Sequence, residues 1–535
     1  MPNQSFAQSI GWAGPYLCVD SAPYLIVGAE VHNSSSSSSE AIAKSFTAVQ
    51  KLGSNTVLAP VAWDLFEPEE GQFDFTLIDT MVSTARDLAL RLVPLWFGSW
   101  KNAVSTYTPR WLRIDSERFP RAEGPDGRRL EHVSPFSLEA RAADARAFSA
   151  LMQRINRIDT TGTVLMVQVE NEIGLLGASR DHSPAAQAAF AGQVPDAVVE
   201  AVAVDPMMPV HKDWLDLGMQ RHGTWSEVFG RSERADEAFM AAAYASYVEV
   251  VASAGAHEHG VPLFVNAWLD ADSALDGPVA VAGGKRPGEY PSGGPVIPVA
   301  PIWEALAPSL HFLAPDMYVD DADPILAAYA ARRGRLFIPE LRADTAGIAQ
   351  MFSAVGTYRA LGVSPFGVDS LDPEGDSSND LKDAYYLLSA AASIIGKNPQ
   401  AKVYGFSLDE ANPSATLEFS GTALEVNTQS TWNPAPPIYP GYGLAIEDGD
   451  GAFVIGRGFW VTPRSADGKQ ASFLSADEYE MGAGELTISR RLNGDETASG
   501  TLVPFPFPGT PPLPDRIIPT KLPDAGIVRF TTYSY

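Results

Sequence analysis

Residues 164–172, VLMVQVENE, are an apolar run that ends in two carboxylates and one amide. Apolar runs of this kind are typical of strands that are buried on both faces of a parallel sheet. Seven similar runs occur in the first 395 residues, with helical patterns between them. The eight predicted strands are residues 24–32, 55–63, 90–97, 164–172, 262–268, 311–318, 336–341 and 362–370.

Alternating strands and helices predict a parallel sheet with crossover helices, and eight such units in order predict a closed (β/α)8 TIM barrel, an α/β fold. Gly53 is expected to end the first long helix and Ser137 to begin another. A six-serine run, residues 34–39, is expected to be a loop that leads to a helix cap. The long helices are predicted over residues 40–52, 138–155, 236–254 and 381–395.

Two insertions, residues 101–135 and 175–235, follow the third and fourth predicted strands. They leave from the carboxyl ends of strands, where a barrel builds its active site from loops. From about residue 400, short β-rich runs between Gly, Pro, Asn and Asp predict a smaller all-β sandwich-like domain. We therefore predict a barrel over residues 1–397 and a β module over residues 398–535, with the proline-rich residues 504–514 as an arm or edge extension.

Composition limits the partners of the protein. The 535 residues carry 38 basic and 65 acidic side chains, a formal net charge of −27, which argues against nucleic acid and anionic membranes. No run approaches the ~20 apolar residues of a membrane helix. No glycine-rich phosphate loop follows the first strand, and no histidine joins a carboxylate in a ligand motif, so we expect neither cofactor nor metal. A homo-oligomer is left open.

Cys18 is the only cysteine, so no intrachain disulfide forms, and its apolar surroundings indicate a core residue. The N-terminus lacks a basic segment followed by an apolar one. The sequence therefore predicts the cytoplasm, or the periplasm if a leader has been removed.

Two glutamates stand at predicted strand ends. Glu172 ends the fourth strand, and Glu340 follows the apolar residues 336–339 in the seventh. Two carboxylates facing each other across a barrel mouth are the minimum apparatus for glycoside hydrolysis. One protonates the leaving oxygen while the other attacks the anomeric carbon or activates water. Alternation along the fourth strand predicts that Glu170 faces the same way as Glu172, unless the strand end bends.

Aromatic residues at strand ends suit a sugar site, because a ring face stacks on the C–H face of a pyranose. Trp63, Trp100 and Trp268 are the candidates, with core packing as the alternative for each. Glu67, in the segment EPEEG, either binds the sugar or has a structural role, and we favour the structural role.

The segments GAEVH (residues 28–32), WDLFEPEEGQFDF (residues 63–75) and QVENEIG (residues 168–174) resemble glycoside hydrolase family 35, the β-galactosidases. The resemblance covers roughly residues 20–375. It implies a retaining mechanism with Glu172 as acid/base and Glu340 as nucleophile. It also implies that Asn171 contacts the sugar 2-hydroxyl and that Tyr318 hydrogen-bonds the nucleophile.

The sequence departs from that family at three places. Ile173 replaces a tyrosine, and the nucleophile segment differs from the usual Ser-Glu-Phe. The family has a sugar-binding glutamate in a Cys-Ala-Glu-Trp run after the third strand, where this chain has Ser99 before Trp100. The sequence therefore predicts an exo-acting β-glycosidase of a divergent branch, with β-galactosides as the first substrate. Arabinosides, fucosides and polysaccharide side chains remain alternatives, as does a non-catalytic carbohydrate-binding protein.

Overall fold

The computed structural model describes residues 10–14, 16–271, 283–420, 422–430, 437–465, 468–482, 484–510 and 522–535. Eight parallel strands form one sheet in the order β6-β5-β4-β3-β2-β1-β8-β7. They are Ile26–Glu30 (β1), Thr56–Ala62 (β2), Arg91–Phe97 (β3), Val167–Val169 (β4), Leu263–Ala267 (β5), Phe312–Pro315 (β6), Ile338–Leu341 (β7) and Gly362–Pro365 (β8).

The two edges of this sheet meet, so the strands form a nearly closed barrel. Met317, just after β6, bridges Leu341 of β7 in parallel, and its N–H donates to the Glu340 carbonyl at 2.8 Å. Most residues of the eight strands are buried, as a barrel with helices outside and side chains inside requires. The predicted TIM barrel is confirmed, and each predicted strand run contains an observed strand.

The helices begin and end where local chemistry predicts. Ser38, within the serine run, accepts the Ala41 N–H and begins the helix that Gly53 ends with a φ of 95°. Ser137 caps the next long helix through the Ala140 N–H. The α-helices are Ser39–Leu52, Trp63–Phe66, Thr76–Asp87, Arg110–Ile114, Leu138–Ile158, Pro184–Phe190, Asp196–Val204, Pro209–Asp216, Trp225–Val228, Glu233–Glu258, Ala300–Leu306, Asp323–Ala331, Thr345–Gly356 and Asn379–Lys397.

Short elements fill the segments between them. The insertion after β3 holds an antiparallel hairpin, Arg121–Glu123 with Arg129–Val133. Three short strands near the N-terminus, Ile10–Ala13, Tyr16–Val19 and Ala22–Pro23, form a sheet of their own. The 3-10 helices are Ile297–Val299, Val368–Ser370 and Asp376–Ser378.

The helix Glu233–Glu258 is long and apolar enough, by length and composition, to cross a membrane. However, 67% of its most apolar window is buried within the protein, and it packs along the helix Leu138–Ile158. A core helix has these properties, so the membrane signal is weak.

The C-terminal residues form two antiparallel sheets with an apolar core of their own, which includes Leu424, Val454 and Phe505. As predicted, Val503–Phe505 is an edge strand, whereas residues 511–514 lie outside the described residues. The larger sheet has the order Val403–Leu408, Gly441–Asp448, Gly451–Arg457, Ile527–Ser534, Ala471–Gly482 and Glu485–Arg491; the smaller has Ser414–Phe419, Thr422–Asn427, Phe459–Arg464 and Val503–Phe505.

Contacts divide the chain into two compact units. One contains Gly28–Leu341 and Ser364–Ser370, and the other contains Trp12–Val27, Arg342–Val363 and Leu371–Tyr535. The division of domains at residue 397 stays a prediction.

Candidate active site

Three carboxyl side chains converge at the carboxyl ends of the barrel strands. Glu172 follows β4, Asp316 follows β6 and Glu340 lies in β7, and none is more than 4% exposed. One carboxylate oxygen from each residue lies within 4.8 Å of the other two. The structure thus brings together the two glutamates that the sequence singled out, and it adds an aspartate.

Glu340 is held by three neighbours. The Tyr318 hydroxyl donates to Oε2 at 3.1 Å, and the Asn171 amide donates to Oε1 at 3.2 Å. The Asn266 amide approaches Oε1 at 3.4 Å and Asp316 Oδ2 at 2.7 Å. These contacts fix the carboxylate in one orientation, as a group that must attack a defined carbon requires.

A buried lysine balances part of the negative charge. Lys101 is 3% exposed, its Nζ donates to Asn171 Oδ1 at 3.0 Å, and Nζ lies 3.9 Å from Glu340 Oε1. Burial alone would lower the pKa of Lys101, but the charges of Glu340 and Glu172 raise it above its usual value. The side chain therefore stays charged within the cluster.

Glu172 is set up to hold a proton. Burial, followed by the negative charge of Glu340, raises its pKa to about 8. Its own N–H donates to Asn266 Oδ1 at 2.9 Å, and the Asn102 amide donates to Oε2. A carboxyl group that is protonated at neutral pH beside an oriented carboxylate is the arrangement that general acid catalysis needs.

Glu170 and Glu172 do not face the same way, because the strand end bends, which is the exception that the sequence prediction left open. Glu170 and Glu172 have φ values of 62° and 48°, so regular extended structure stops at Val169. Glu170 faces Asp144 instead, and its Oε2 accepts the Trp100 N–H at 2.8 Å. Burial and the Asp144 charge raise the pKa of Glu170 well above its usual value.

With this geometry in place, comparison with known proteins identifies the domain. The family model Glycosyl hydrolases family 35 matches residues 16–246. This part of the chain is therefore similar to glycoside hydrolase family 35. The C-terminal β region, residues 381–504, matches a domain of unknown function, DUF5597, as suits a divergent branch of the family.

Several solved structures are similar to part of the chain at low identity. A β-galactosidase from the psychrophilic Marinomonas ef1 is 14% identical, with a TM-score of 0.47 over 70% of this chain and 60% of that one. A β-galactosidase from the haloarchaeon Halorubrum lacusprofundi is 16% identical, with a TM-score of 0.46 over 68% and 58%. The catalytic domain of a β-amylase from Paenibacillus polymyxa is 12% identical, with a TM-score of 0.48 over 68% and 98%.

The chain thus spans about three fifths of the length of the two β-galactosidases. None of the curated proteins compared with it matches.

The position where the sequence departs from family 35, Ser99, is buried. Ser99 is fully buried, and its hydroxyl donates to Asp144 Oδ2 at 2.6 Å and lies 2.7 Å from the Tyr247 hydroxyl. Ser99 is thus engaged with the Asp144–Glu170 pair. It does not supply a replacement for the missing sugar-binding glutamate.

Two predicted sugar-binding residues contact each other. Trp63 is fully buried, and its indole N–H donates to Glu67 Oε2 at 2.7 Å. The other oxygen of Glu67 accepts the Gly71 N–H at 2.7 Å. These bonds hold the segment after β2 together and favour the structural interpretation of both residues; a role in sugar binding stays a prediction.

The other two tryptophans differ in exposure. Trp100 is fully buried, donates from its indole to the Val133 carbonyl at 3.2 Å, and contacts Tyr244 and Tyr247 edge-on. Trp268 retains 9% exposure and donates to the Gly283 carbonyl at 3.2 Å. Of the two, Trp268 is the more exposed, and a role in sugar binding stays a prediction for both.

The carboxylates of Glu172, Asp316 and Glu340 are also close enough together to hold a cation. In the described structure, the charge of Lys101 lies beside them and already offsets part of their repulsion. The donor set is as well explained by proton chemistry as by a metal ion.

Sequence reasoning missed Lys101, Asn102, Asn266 and Asp316. Lys101 and Asn102 begin the insertion after the third predicted strand, and Asn266 and Asp316 lie two residues before the ends of the fifth and sixth. Polar side chains near the carboxyl ends of barrel strands are the signal that would have found them.

Proposed function

We propose that the protein is an exo-acting, retaining β-glycosidase, with Glu340 as nucleophile and Glu172 as general acid/base. The supporting observation is the pairing of an oriented carboxylate with a protonated carboxyl group. Oxygens of the two groups lie within 4.8 Å. Retaining enzymes have carboxyl groups about 5–5.5 Å apart, whereas inverting enzymes need about 6.5–9.5 Å to admit water between them.

The reaction proceeds in two displacements. Glu340 attacks the anomeric carbon while Glu172 gives its proton to the departing oxygen, which leaves a covalent glycosyl ester on Glu340. Esterification of Glu340 removes the neighbouring negative charge and so lowers the pKa of Glu172, which, having given up its proton, is then ready to act as a base. Glu172 then takes a proton from water, and the water releases the sugar.

The substrate we favour is a terminal β-galactoside. Support comes from the resemblance of residues 63–75 and 168–174 to the family of β-galactosidases. The near-complete burial of Glu172 and Glu340 suits a pocket for one terminal sugar better than an open groove for a chain. A panel of nitrophenyl β-glycosides, including galactoside, arabinoside and fucoside, tests the sugar. Saccharide binding without turnover of any of them would instead support a non-catalytic binding protein.

The mechanism is tested by two alanine variants, Glu340→Ala and Glu172→Ala. Loss of the nucleophile is expected to lower kcat by on the order of 10⁴-fold or more. Azide should partly rescue Glu340→Ala and give the α-glycosyl azide, because it enters from the side that the carboxylate has left.

Glu172→Ala is expected to lose roughly 10²–10⁴-fold on substrates with poor leaving groups, and far less on activated aryl glycosides. Azide should give the β-glycosyl azide with this variant. Substantial turnover by Glu340→Ala without an added nucleophile, or the same azide anomer from both variants, contradicts the assignment.

A further inference from the structure

Glu30, at the end of β1, is a buried carboxyl group that the mechanism above does not use. The residue is 0% exposed, and neither carboxylate oxygen has a hydrogen-bond partner among the described residues. Its backbone is tied into the barrel, where its carbonyl accepts the Gly367 N–H at 2.8 Å. A buried polar group without a partner costs stability, so a reason for its presence is required.

The side chain belongs to the cluster at the barrel mouth. Burial, then the negative charge of Glu340, raises the pKa of Glu30 well above its usual value, and the charge of Lys101 opposes this rise. The charge of Glu30 also contributes, after burial and the charge of Glu340, to the raised pKa of Tyr318. The two carboxyl groups therefore lie close enough for their charges to interact, and burial favours the neutral form of Glu30.

Charge balance does not explain the residue. Lys101 already has Asn171 Oδ1 as an acceptor and Glu340 as an ion-pair partner. The negative charges of Glu340 and Glu172 each stabilise the charged form of Lys101 more strongly than the charge of Glu30 does. A further carboxyl group adds to the repulsion in the cluster. The charge of Glu340, after the larger effect of burial, contributes to the raised pKa of Glu30 for this reason.

A sugar ring explains the residue better. Its anomeric carbon has to lie between Glu172 and Glu340, so the remaining hydroxyl groups need polar partners elsewhere around the barrel mouth. Sugar hydroxyls both donate and accept hydrogen bonds, and a neutral carboxyl group does the same. The glutamate that the family uses for this purpose is absent, because Ser99 stands in its place and faces Asp144.

We propose that Glu30 binds a hydroxyl group of the terminal sugar and helps to determine which sugar is accepted. The inference rests on the proposed glycosidase function. Glu30, at the end of β1, takes the role that the family gives to a glutamate after β3.

The first test separates a binding residue from a structural one by thermal stability. Because its folded-state pKa is raised, Glu30 contributes a stability that is present below its ordinary pKa and is lost as pH rises. Glu30→Gln is therefore expected to melt at a higher temperature than the wild type, with a gain that grows from pH 5 to pH 8. A variant that is less stable than the wild type at both pH values would show that the carboxyl group supports the fold, and would overturn the proposal.

Glu237→Gln is the matched control. Glu237 is another buried carboxyl group, its pKa is raised to about 7 by burial, and it accepts from the Tyr290 hydroxyl at 2.7 Å. It should gain thermal stability with pH in the same way while kcat/KM stays unchanged. Only the Glu30 variant should lose activity.

The second test uses monodeoxy versions of the nitrophenyl glycoside that the wild type hydrolyses best. Removal of the hydroxyl group that contacts Glu30 should lower kcat/KM of the wild type by roughly 3- to 10-fold, the size of one hydrogen bond between uncharged groups. Glu30→Ala should lose a similar factor on the parent sugar and nothing further on that deoxy sugar.

Each outcome has one meaning. A Glu30→Ala variant whose kcat/KM falls by the same factor on every deoxy sugar, or does not fall at all, overturns the role of Glu30 while the glycosidase function stands. A wild type that turns over none of the glycosides overturns the proposed function itself. A penalty that vanishes for one deoxy sugar supports the proposal and identifies the hydroxyl group.

Discussion

Asn102 shows how a single residue sets the proton affinity of the proposed acid. Its amide donates to Glu172 Oε2, and a donor stabilises the charged form of a carboxylate. This contact lowers the pKa of Glu172, against the larger effects of burial and of Glu340 that raise it to about 8. Under the proposed mechanism, activity at alkaline pH depends on the balance between these effects on the pKa of Glu172.

The basic limb of the kcat/KM profile is expected near pH 8, because Glu172 must be protonated to act and loses its proton as pH rises. Asn102→Gly removes the donor while keeping the left-handed backbone of that residue, whose φ is 50°. The limb should then move to higher pH, by roughly half a unit to one unit.

Ala103→Gly is the control for a looser loop, since Ala103 is also left-handed, with a φ of 57°, and has no side-chain donor. Its profile should match that of the wild type. A limb that moves equally in both variants, or moves to lower pH in Asn102→Gly, would show that Asn102 does not tune Glu172.

At the scale of elements, the turn after β3 contacts a buried layer formed by the carboxyl groups of Asp144 and Glu170. Trp96 donates to Asp144 Oδ1 at 2.9 Å, and the Ser99 N–H donates to Asp144 Oδ2 at 3.2 Å. Gly98 lies between Trp96 and Ser99 in the sequence, and its surroundings leave no room for a side chain. A Cβ at this position would lie 2.6 Å from Glu170 Oε1 and well inside contact distance of the Trp96 indole nitrogen.

Gly98→Ala is therefore expected to lower the free energy of unfolding by about 1–3 kcal/mol, the usual effect of overpacking a well-filled site. It should also lower kcat, since the Asp144–Glu170 layer positions the strand end that carries Glu172. Chemical denaturation and initial rates measure the two effects.

Gly260→Ala is the comparison, because a Cβ at Gly260 meets nothing within 4 Å. It should leave both quantities within the range of ordinary surface substitutions, about 0.5 kcal/mol. Equal stabilities for the two variants would mean that the layer tolerates the methyl group.

At the scale of the whole molecule, the helix Asn379–Lys397 has contacts that the predicted domain boundary would divide. Arg457, at the end of the strand Gly451–Arg457, is 3% exposed and forms a two-point ion pair with Asp383 of this helix, at 2.7 and 2.9 Å. It also donates to the Asp524 carbonyl at 2.9 Å. The helix is thereby tied to the C-terminal sheets within one compact unit.

Arg457→Met is expected to destabilise the protein by about 3–5 kcal/mol, because it leaves a partly buried carboxylate without its partner. Arg118→Met removes a similar two-point pair, with Glu70, in which the two side chains are 39% and 38% exposed, and should cost no more than about 1 kcal/mol. Differential scanning calorimetry of the two variants compares them directly. Equal melting temperatures would mean that the helix does not depend on the sheets.

Much of the barrel could be predicted from the sequence because it rests on local rules. Apolar runs separated by capped helices gave all eight strands, and Ser137 and Gly53 marked helix ends correctly. The fourth strand was predicted too long, since its end leaves extended structure at Glu170. At that bend Glu170 contacts Trp100 and Asp144, which are distant in sequence, so the bend cannot be read from a local pattern.

The sequence by itself determined the fold class and the two glutamates, because strand periodicity and carboxylates at strand ends are properties of short segments. Only the tertiary structure decided the proton balance of the site. Lys101, Asn266 and Asp316 come from different strand ends, and the raised pKa of Glu172 arises from burial and from the charge of Glu340 across the barrel. Such effects depend on distances through space, which the order of residues along the chain does not contain.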